Sequence, residues 1–438
     1  MIRGRTFLLL LFGCWLISVP VMFYNLEEYH TLGGKVFVDC PSGLCPSEEG
    51  HISRMAPGLP EWVAPPDKPD HVWPSFNESE DRILAQMSLN KQDGDKIKLI
   101  LIYAGFLNEE IPIGQRKFVE DECPVTNCRL TRDVADITKA DLVITKLGTR
   151  QLKEKYPNRP PNQIVLWFQL ESPKHAAASG VVNWTATYRR DSTLNAPYYK
   201  FVTYKDGAGH KPAMTRNYAR GKSKKVAWFV SNCLATNGRL EYAKELAKHI
   251  DVDIYGKCGT KRCPRREHRR CEELLSKEYK FYLAFENSHC RDYITEKFFL
   301  NGLSNDIVPI AFGAPPDDYA RVAPPHSFIH TDDFSSPKHL ADYLMELDAN
   351  DALYNEYFQW KGSGEFINTK FWCRVCAMLH EAHSSGVHMW YDLNQWWSGD
   401  GVCFKYQPNG KPKPKWQSWR NASSKYGYLN NTYHILWP

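Results

Sequence analysis

The residues best suited to chemistry lie in one stretch, Phe281 to Lys297, which reads FYLAFENSHCRDYITEK. An apolar run ends in Glu-Asn-Ser, turns, and enters a helix-like pattern. Asn287 therefore falls in a loop, while Tyr293, Glu296 and Lys297 are spaced i, i+3, i+4 and are expected to share one helix face. Amide, phenol, carboxylate and ammonium groups at the carboxyl end of a strand suit the ribose and phosphates of a nucleotide. The plainer reading is a helix entrance with a solvated Glu and Lys. Two Asp-x-Asp triplets, Asp93-Gly94-Asp95 and Asp251-Val252-Asp253, have the spacing with which some transferases hold Mn²⁺ on a diphosphate. The second flows into a strand, where alternate residues face one side and can simply be solvated, so no metal site is expected. Cys258, Cys263, His268 and Cys271 in KCGTKRCPRREHRRC resemble a zinc knuckle, but the spacing departs from one. Disulfides are the better reading there and at Cys373 and Cys376, where a redox C-x-x-C is the other option.

These groups need strands and helices to hold them. Lys96 to Ala104, Ala140 to Thr145 and Gln163 to Gln169 read as short strands separated by polar or helical stretches, the pattern of a parallel sheet. Residues 194–224, with Pro197, Gly207, Gly209, Pro212 and Gly221, read as a linker. Beyond it come a strand at Val226 to Val230, a helix at Arg239 to Ile250 and a strand at Val252 to Tyr255. A second such unit follows, with a strand at Tyr279 to Phe285, a helix at Tyr293 to Leu303 and a strand at Ile307 to Phe312. The expected fold is α/β, with two doubly wound domains facing one another and ligands at the carboxyl ends of their strands.

The chain has 438 residues, 43% hydrophobic and 24% charged, with a net charge of +5. That length allows two or three domains of roughly 100 to 200 residues, and the composition excludes a wholly disordered chain. So small a charge gives no support to a nucleic-acid partner. Residues 6–24, TFLLLLFGCWLISVPVMFY, form an uncharged apolar run close to the roughly 20 residues a spanning helix needs. Arg3 and Arg5 precede it, so residues 1–5 are expected in the cytosol and the body beyond the membrane, as a single-pass signal-anchor; a cleaved signal peptide is the other reading. Of 13 cysteines only Cys14 lies in the run; the other twelve suit an oxidising lumen. Sequons at Asn77, Asn183, Asn421 and Asn430 agree with a luminal body. Residues 25–95, rich in Pro, Gly and charge, read as a stem.

The motif FENSHCRDYITEK, the stretch VPIAFGAPPDDYARVAPPHSFIHTDDFSSPKHLADYLMELDAND and YFQW resemble the donor-binding region of the α1,3-fucosyltransferases. CPVTNC (123–128), FQLESPKH (168–175), NWTATYRRDS (183–192) and AWFVSNC (227–233) follow that family's order, and the likeness spans roughly residues 96–380. The tail, with FWCRVC (371–376) and WWSGDGVC (396–403), is similar to the insect and nematode enzymes that fucosylate the N-glycan core. The resemblance implies an inverting transferase of GT-B type, two facing Rossmann-like domains, using GDP-L-fucose without an essential cofactor or metal. It assigns residues 96–215 to an acceptor-side domain, 220–380 to a donor-binding domain and 381–438 to an extension. Ser231, Arg239, Asn287, Tyr293, Glu296 and Lys297 would contact the donor. Arg239 opens a helix after a strand, a place that suits a cation meeting phosphate.

Glu171 is then the candidate general base, just past the strand QIVLWFQL. Inversion needs a carboxylate to take the acceptor hydroxyl's proton as the anomeric carbon gains oxocarbenium character. Tyr188, Arg189 and Arg190 are further substrate-contact candidates. The expected activity is α1,3 transfer of L-fucose to the Asn-linked GlcNAc of N-glycans by a Golgi-membrane protein with a luminal catalytic body. Two rivals remain open. A Lewis-type enzyme of the same family would act on GlcNAc in antennary Galβ1,4GlcNAc, and an inactive luminal glycan-binding protein would bind glycan but not GDP.

Overall fold

The computed structural model describes residues 81–90, 94–103, 111–178, 180–204, 216–385, 393–404, 416 and 418–420. The apolar run 6–24, most of the stem and the sequons at Asn77, Asn421 and Asn430 lie outside them. Among the described residues no helix is long and apolar enough to cross a membrane.

The first half is a parallel sheet of β1 (Lys98–Ile102), β2 (Cys128–Thr131), β3 (Leu142–Thr145), β4 (Ile164–Gln169), β5 (Trp184–Thr187) and β6 (Leu194–Asn195), in spatial order β2-β1-β3-β4-β5-β6. After β7 (Lys200–Thr203), the second half is a parallel sheet of β8 (Lys224–Phe229), β9 (Val252–Tyr255), β10 (Tyr279–Phe285), β11 (Val308–Phe312) and β12 (Ile329–His330), in order β12-β11-β10-β8-β9. β13 (Gly364–Ile367) pairs antiparallel with β7. Segment 194–224 is thus more than a linker: it supplies the edge strand β6, the ribbon strand β7 and the start of β8.

Both sheets are covered on both faces, which is why their strands read as continuous apolar runs. In β1, Ile100 and Ile102 enter one core while Leu99 and Leu101 enter the other. In β10, Phe281, Leu283 and Phe285 face the helices Arg239–Leu246 and Pro337–Ala349, and Tyr282 and Ala284 face the opposite layer. The second sheet reverses its order between β8 and β10. The loops leaving these two strands therefore flank a crevice, the usual place for a ligand.

Three segments depart from the expected boundaries. Helix Phe371–Ser385 follows the second sheet in sequence yet packs Trp372, Val375, Met378 and Leu379 against the first sheet. Cys373 and Cys376, three apart on that helix, bond to Cys123 and Cys128 rather than to each other. The first bridge joins positions 250 apart, a constraint of about 5 kcal/mol on the unfolded chain by loop-entropy arguments. The last residues assigned to the stem also belong to the folded body. Helix Arg82–Met87 is capped by Asp81, and its Gln86 amide donates to Thr193 O (2.7 Å) while accepting from buried Arg374 (2.9 Å). Finally, the extension returns to the core through helix Leu393–Ser398, whose Trp397 is fully buried.

Candidate active site

Glu171 lies two residues past β4 and is exposed at the carboxyl edge of the first sheet. Tyr293, from the loop after β10 of the second sheet, donates its hydroxyl to Glu171 Oε2 at 3.1 Å. Beside that bond the buried Ser172 hydroxyl donates to Ser288 Oγ (2.8 Å), which in turn donates to Asn287 Oδ1 (3.0 Å). The two carboxyl edges therefore meet, with the candidate base of one sheet touching a donor-side residue of the other. Tyr198 closes the base's loop from below by donating to Leu170 O (3.0 Å). Burial pushes the phenols of Tyr293 and Tyr198 up, and the nearby glutamates, Glu171 among them, add to this. Both are neutral donors.

The helix expected from Tyr293 onward begins only at Glu296, with Thr295 as its N-cap. Tyr293 therefore does not share a helix face with Glu296 and Lys297. The cause is Glu286, which follows β10 and is wholly buried. Its Oε1 accepts from Thr295 N (2.8 Å) and Oγ1 (2.9 Å), so Thr295 stays extended, and Asp292 turns the chain at φ 58°. Lys297 Nζ reaches Glu286 Oε2 (3.1 Å), Glu296 Oε1 (3.1 Å) and Thr295 Oγ1 (2.8 Å). Burial alone would lower the Lys297 pKa, but the carboxylates of Glu286 and Glu296 outweigh it and hold it above the ordinary lysine value. Burial raises Glu286, against the charge of Lys297. For Glu296, Lys297 overcomes burial and the net direction is down. The result is a protonated ammonium, mostly covered, flanked by two carboxylates.

Arg239 opens its helix as expected but is buried, 3% exposed. One terminal nitrogen donates to Phe285 O (2.8 Å) and the other to Asn232 O (2.9 Å), tying the end of β10 to the loop after β8. Its Nε has no partner, an unsatisfied cationic donor beside the crevice. Asn237 reinforces the same tie by donating to Glu286 O (2.9 Å). Ser231 is exposed just past β8, and Asn287 is half-buried just past β10. All six donor-side candidates thus lie on the two loops that leave β8 and β10 or at the first turns of the helices those loops enter, at one switch point.

The remaining candidates have structural partners. Tyr188 is buried with its hydroxyl unsatisfied, its ring 5.0 Å from Tyr293 and 5.5 Å from Trp397. Arg189 is clamped by Asp191 (2.9 Å at Nε) and lies over the Trp396 ring at 4.5 Å, so it is occupied rather than offered to a ligand. Arg190 is the more exposed, and its backbone N–H donates to Asp292 Oδ2 (3.2 Å). Asp292 is pushed up to about 6 by burial and by the neighbouring carboxylates Asp318 and Asp191, against Arg190. A raised carboxyl pKa stabilises the fold below its unfolded value, and that contribution is lost as pH rises through about 6. Asp292→Asn is accordingly expected to raise thermal stability above pH 6, by about 3 kcal/mol at most, and to flatten the stability profile between pH 4 and pH 7 in thermal melts.

Asn183 is a correction. It is 1% exposed, with Oδ1 accepting from Val165 N (2.8 Å), because it continues the sheet edge between β4 and β5. Such a side chain is no acceptor for a glycan in the folded protein. Asp253 is bonded to Tyr279 (2.5 Å) and Lys261 (3.2 Å) near the amino ends of the strands, away from the crevice; Asp93 lies outside the described residues. Cys258 pairs with Cys233, and Cys263 with Cys271, so the zinc-knuckle cysteines are disulfides. Among the described residues one set, Cys128, Cys376 and His380, has metal-ligand proximity, but its two sulfurs are bonded to each other. Glu286 escaped the sequence reading. Its signal was an acid directly continuing an apolar strand with no alternation, which marks a carboxylate entering the interior.

Residues 95–199 match the N-terminal fucosyltransferase domain, and residues 219–396 match the C-terminal domain of glycosyltransferase family 10 (fucosyltransferase). A human 4-galactosyl-N-acetylglucosaminide 3-alpha-L-fucosyltransferase is 35% identical over 67% of this chain and 83% of its own length. The chain belongs to glycosyltransferase family 10, the fucosyltransferases. Glycoprotein 3-alpha-L-fucosyltransferase A of Drosophila melanogaster is 48% identical over 77% of this chain. The chain spans 65% of the length of that relative. A crystal structure of an alpha1,3-fucosyltransferase with GDP-fucose aligns with 69% of this chain and 96% of its own, at 18% identity and a TM-score of 0.44. Within this family-10 chain, the two matched domains correspond to the two parallel sheets, and the site lies where their carboxyl edges meet.

Proposed function

We propose that this family-10 chain transfers L-fucose from GDP-L-fucose to O3 of the Asn-linked GlcNAc of N-glycans, with inversion at the anomeric carbon. The observation that carries the reading is the contact of Glu171 with Tyr293 across the crevice, 3.1 Å, beside the Lys297 cluster. Glu171 takes the proton of the acceptor O3 as O3 attacks the anomeric carbon and the bond to the β-phosphate oxygen breaks. GDP leaves carrying the negative charge, which Lys297, with Arg239 behind it, stabilises electrostatically. Tyr293 orients the base through its hydroxyl. The two sheets form the halves of a GT-B type transferase. An anchor at residues 6–24 with the catalytic body in the Golgi lumen suits the sulfur chemistry, ten of the described cysteines being paired.

The acceptor assignment is supported by the 48% identity to the Drosophila glycoprotein 3-alpha-L-fucosyltransferase A. The test is labelled GDP-fucose with a panel of N-glycans, with and without galactosylated antennae, in excess EDTA, followed by linkage analysis. The expected result is fucose on O3 of the innermost GlcNAc with full turnover despite the chelator. Label on galactosylated antennae alone would make it a Lewis-type enzyme, and loss of turnover in EDTA would reject the metal-free mechanism. A folded protein with neither transfer nor GDP affinity would be a glycan-binding scaffold.

A further inference from the structure

The C-terminal segment 393–404 touches both halves of the site at once. On the first sheet, the Trp397 indole donates to Ala176 O (2.8 Å), in the loop that carries Glu171. Its ring lies 5.0 Å from Trp167 of β4 and 5.5 Å from Tyr188, which in turn packs on Tyr293 at 5.0 Å. Trp396, next to it, is held by Asp191, which accepts from its indole (3.0 Å), and by the guanidinium of Arg189 over its ring. On the second sheet, Cys403 is disulfide-bonded to Cys290 in the loop after β10. Two backbone bonds flank that bridge, Arg291 N to Val402 O (2.8 Å) and Phe404 N to His289 O (2.8 Å), so the tail pairs with the donor loop like a short antiparallel ribbon.

Loop backbone without sheet pairing is ordinarily the least restrained part of a fold. Here the loops bearing the base and the donor-side residues are each restrained by the same stretch of tail, one by an indole N–H and ring packing, the other by a covalent bridge. We propose that residues 393–404 are a positioning strap, with Trp397 fixing the Glu171 loop and Cys403 fixing the Asn287–Lys297 loop, so that base and donor are held in one geometry. The inference rests on the transferase reading above. Residues of the strap touch neither reacting atom; they act through Ala176, Tyr188 and Cys290.

Two variants of the full-length protein test it. Trp397→Phe keeps an aromatic ring against Trp167 and Tyr188 but deletes the bond to Ala176; Cys290→Ser/Cys403→Ser removes the bridge without leaving a free thiol. Hydrogen exchange is expected to quicken over 171–178 in the first and over 286–295 in the second, whatever the protein's activity. In turnover, Trp397→Phe should lower kcat by about tenfold or more, as expected of a misplaced base, with GDP affinity by calorimetry within twofold of the parent. The double serine variant should weaken GDP binding several-fold. A role in folding alone would reduce yield or Tm but leave kcat per GDP-binding site and GDP affinity unchanged, and that result overturns the proposal, as does unaltered exchange in both loops. A parent protein without transferase activity would sink the functional reading, while the exchange data would still decide the strap.

Discussion

Replacing Glu171 by Gln is expected to leave GDP affinity unchanged and to lower kcat by about 10²- to 10⁴-fold, the usual contribution of a positioned general base. The substitution is nearly isosteric. The Gln carbonyl still accepts the Tyr293 hydroxyl, so the contact across the crevice survives and the loss is one of proton acceptance rather than of shape. Because Glu171 is exposed, the change should also leave Tm within about 1 °C, as surface substitutions generally do. Single-turnover kinetics with saturating donor, alongside calorimetry with GDP, separates the two quantities. A kcat near that of the parent would remove Glu171 from the chemistry and leave it as a hydrogen-bond partner only.

Lys297→Ala carries the second large effect, and it acts on stability as well as on donor binding. Glu286 is wholly buried and Lys297 supplies its counter-charge at 3.1 Å. Removing one member of a buried pair costs about 3–5 kcal/mol because the remaining charge is left uncompensated. Thr295 still donates to both oxygens of Glu286, which places the expected loss near the lower end, about 3 kcal/mol. Without Lys297 the Glu286 pKa moves further in the direction burial already pushes it. A carboxyl raised in the folded state stabilises below its unfolded pKa and loses that contribution as pH rises, so the variant's deficit should be smallest in acid and grow as pH rises. Adding Glu286→Gln removes the buried charge and should restore most of the stability. On the proposed reading it should not restore donor affinity, for which the Lys297 ammonium pairs with the diphosphate. Melts across pH, with GDP calorimetry on both variants, give the comparison. A double variant that regains donor binding would show that Lys297 serves only to neutralise Glu286.

Much of this architecture is legible in the chain because its strands are buried on both faces. VLWFQ and KFYLAF are continuous apolar runs, and Val252–Tyr255 and Tyr279–Phe285 have in the structure the limits their sequence suggests. The alternation of strand and helix predicts parallel sheets, and the placement of Glu171, Ser231 and Asn287 just past strands follows from it. Local pattern failed where a distant group competes for a backbone bond. Tyr293 reads as helical from its spacing to Glu296 and Lys297, but Thr295 between them is extended, its N–H and hydroxyl both bonded to Glu286, and the helix begins only at Glu296. Asn183 reads as a sequon because a triplet carries no measure of exposure; its side chain is spent on the Val165 N–H inside the sheet.

The sequence by itself determined the class of fold, the apolar run before the body, and the residues from which a site could be built. Those properties depend on composition, period and short spacing, which any stretch of chain carries within itself. Only the tertiary structure decided which cysteine meets which, that helix 371–385 returns to the first sheet, that Glu286 lies beneath Lys297, and that the tail joins both loops of the site. Each of these joins positions far apart in the chain, and which of many possible partners is met depends on how whole layers pack, a quantity no local window contains.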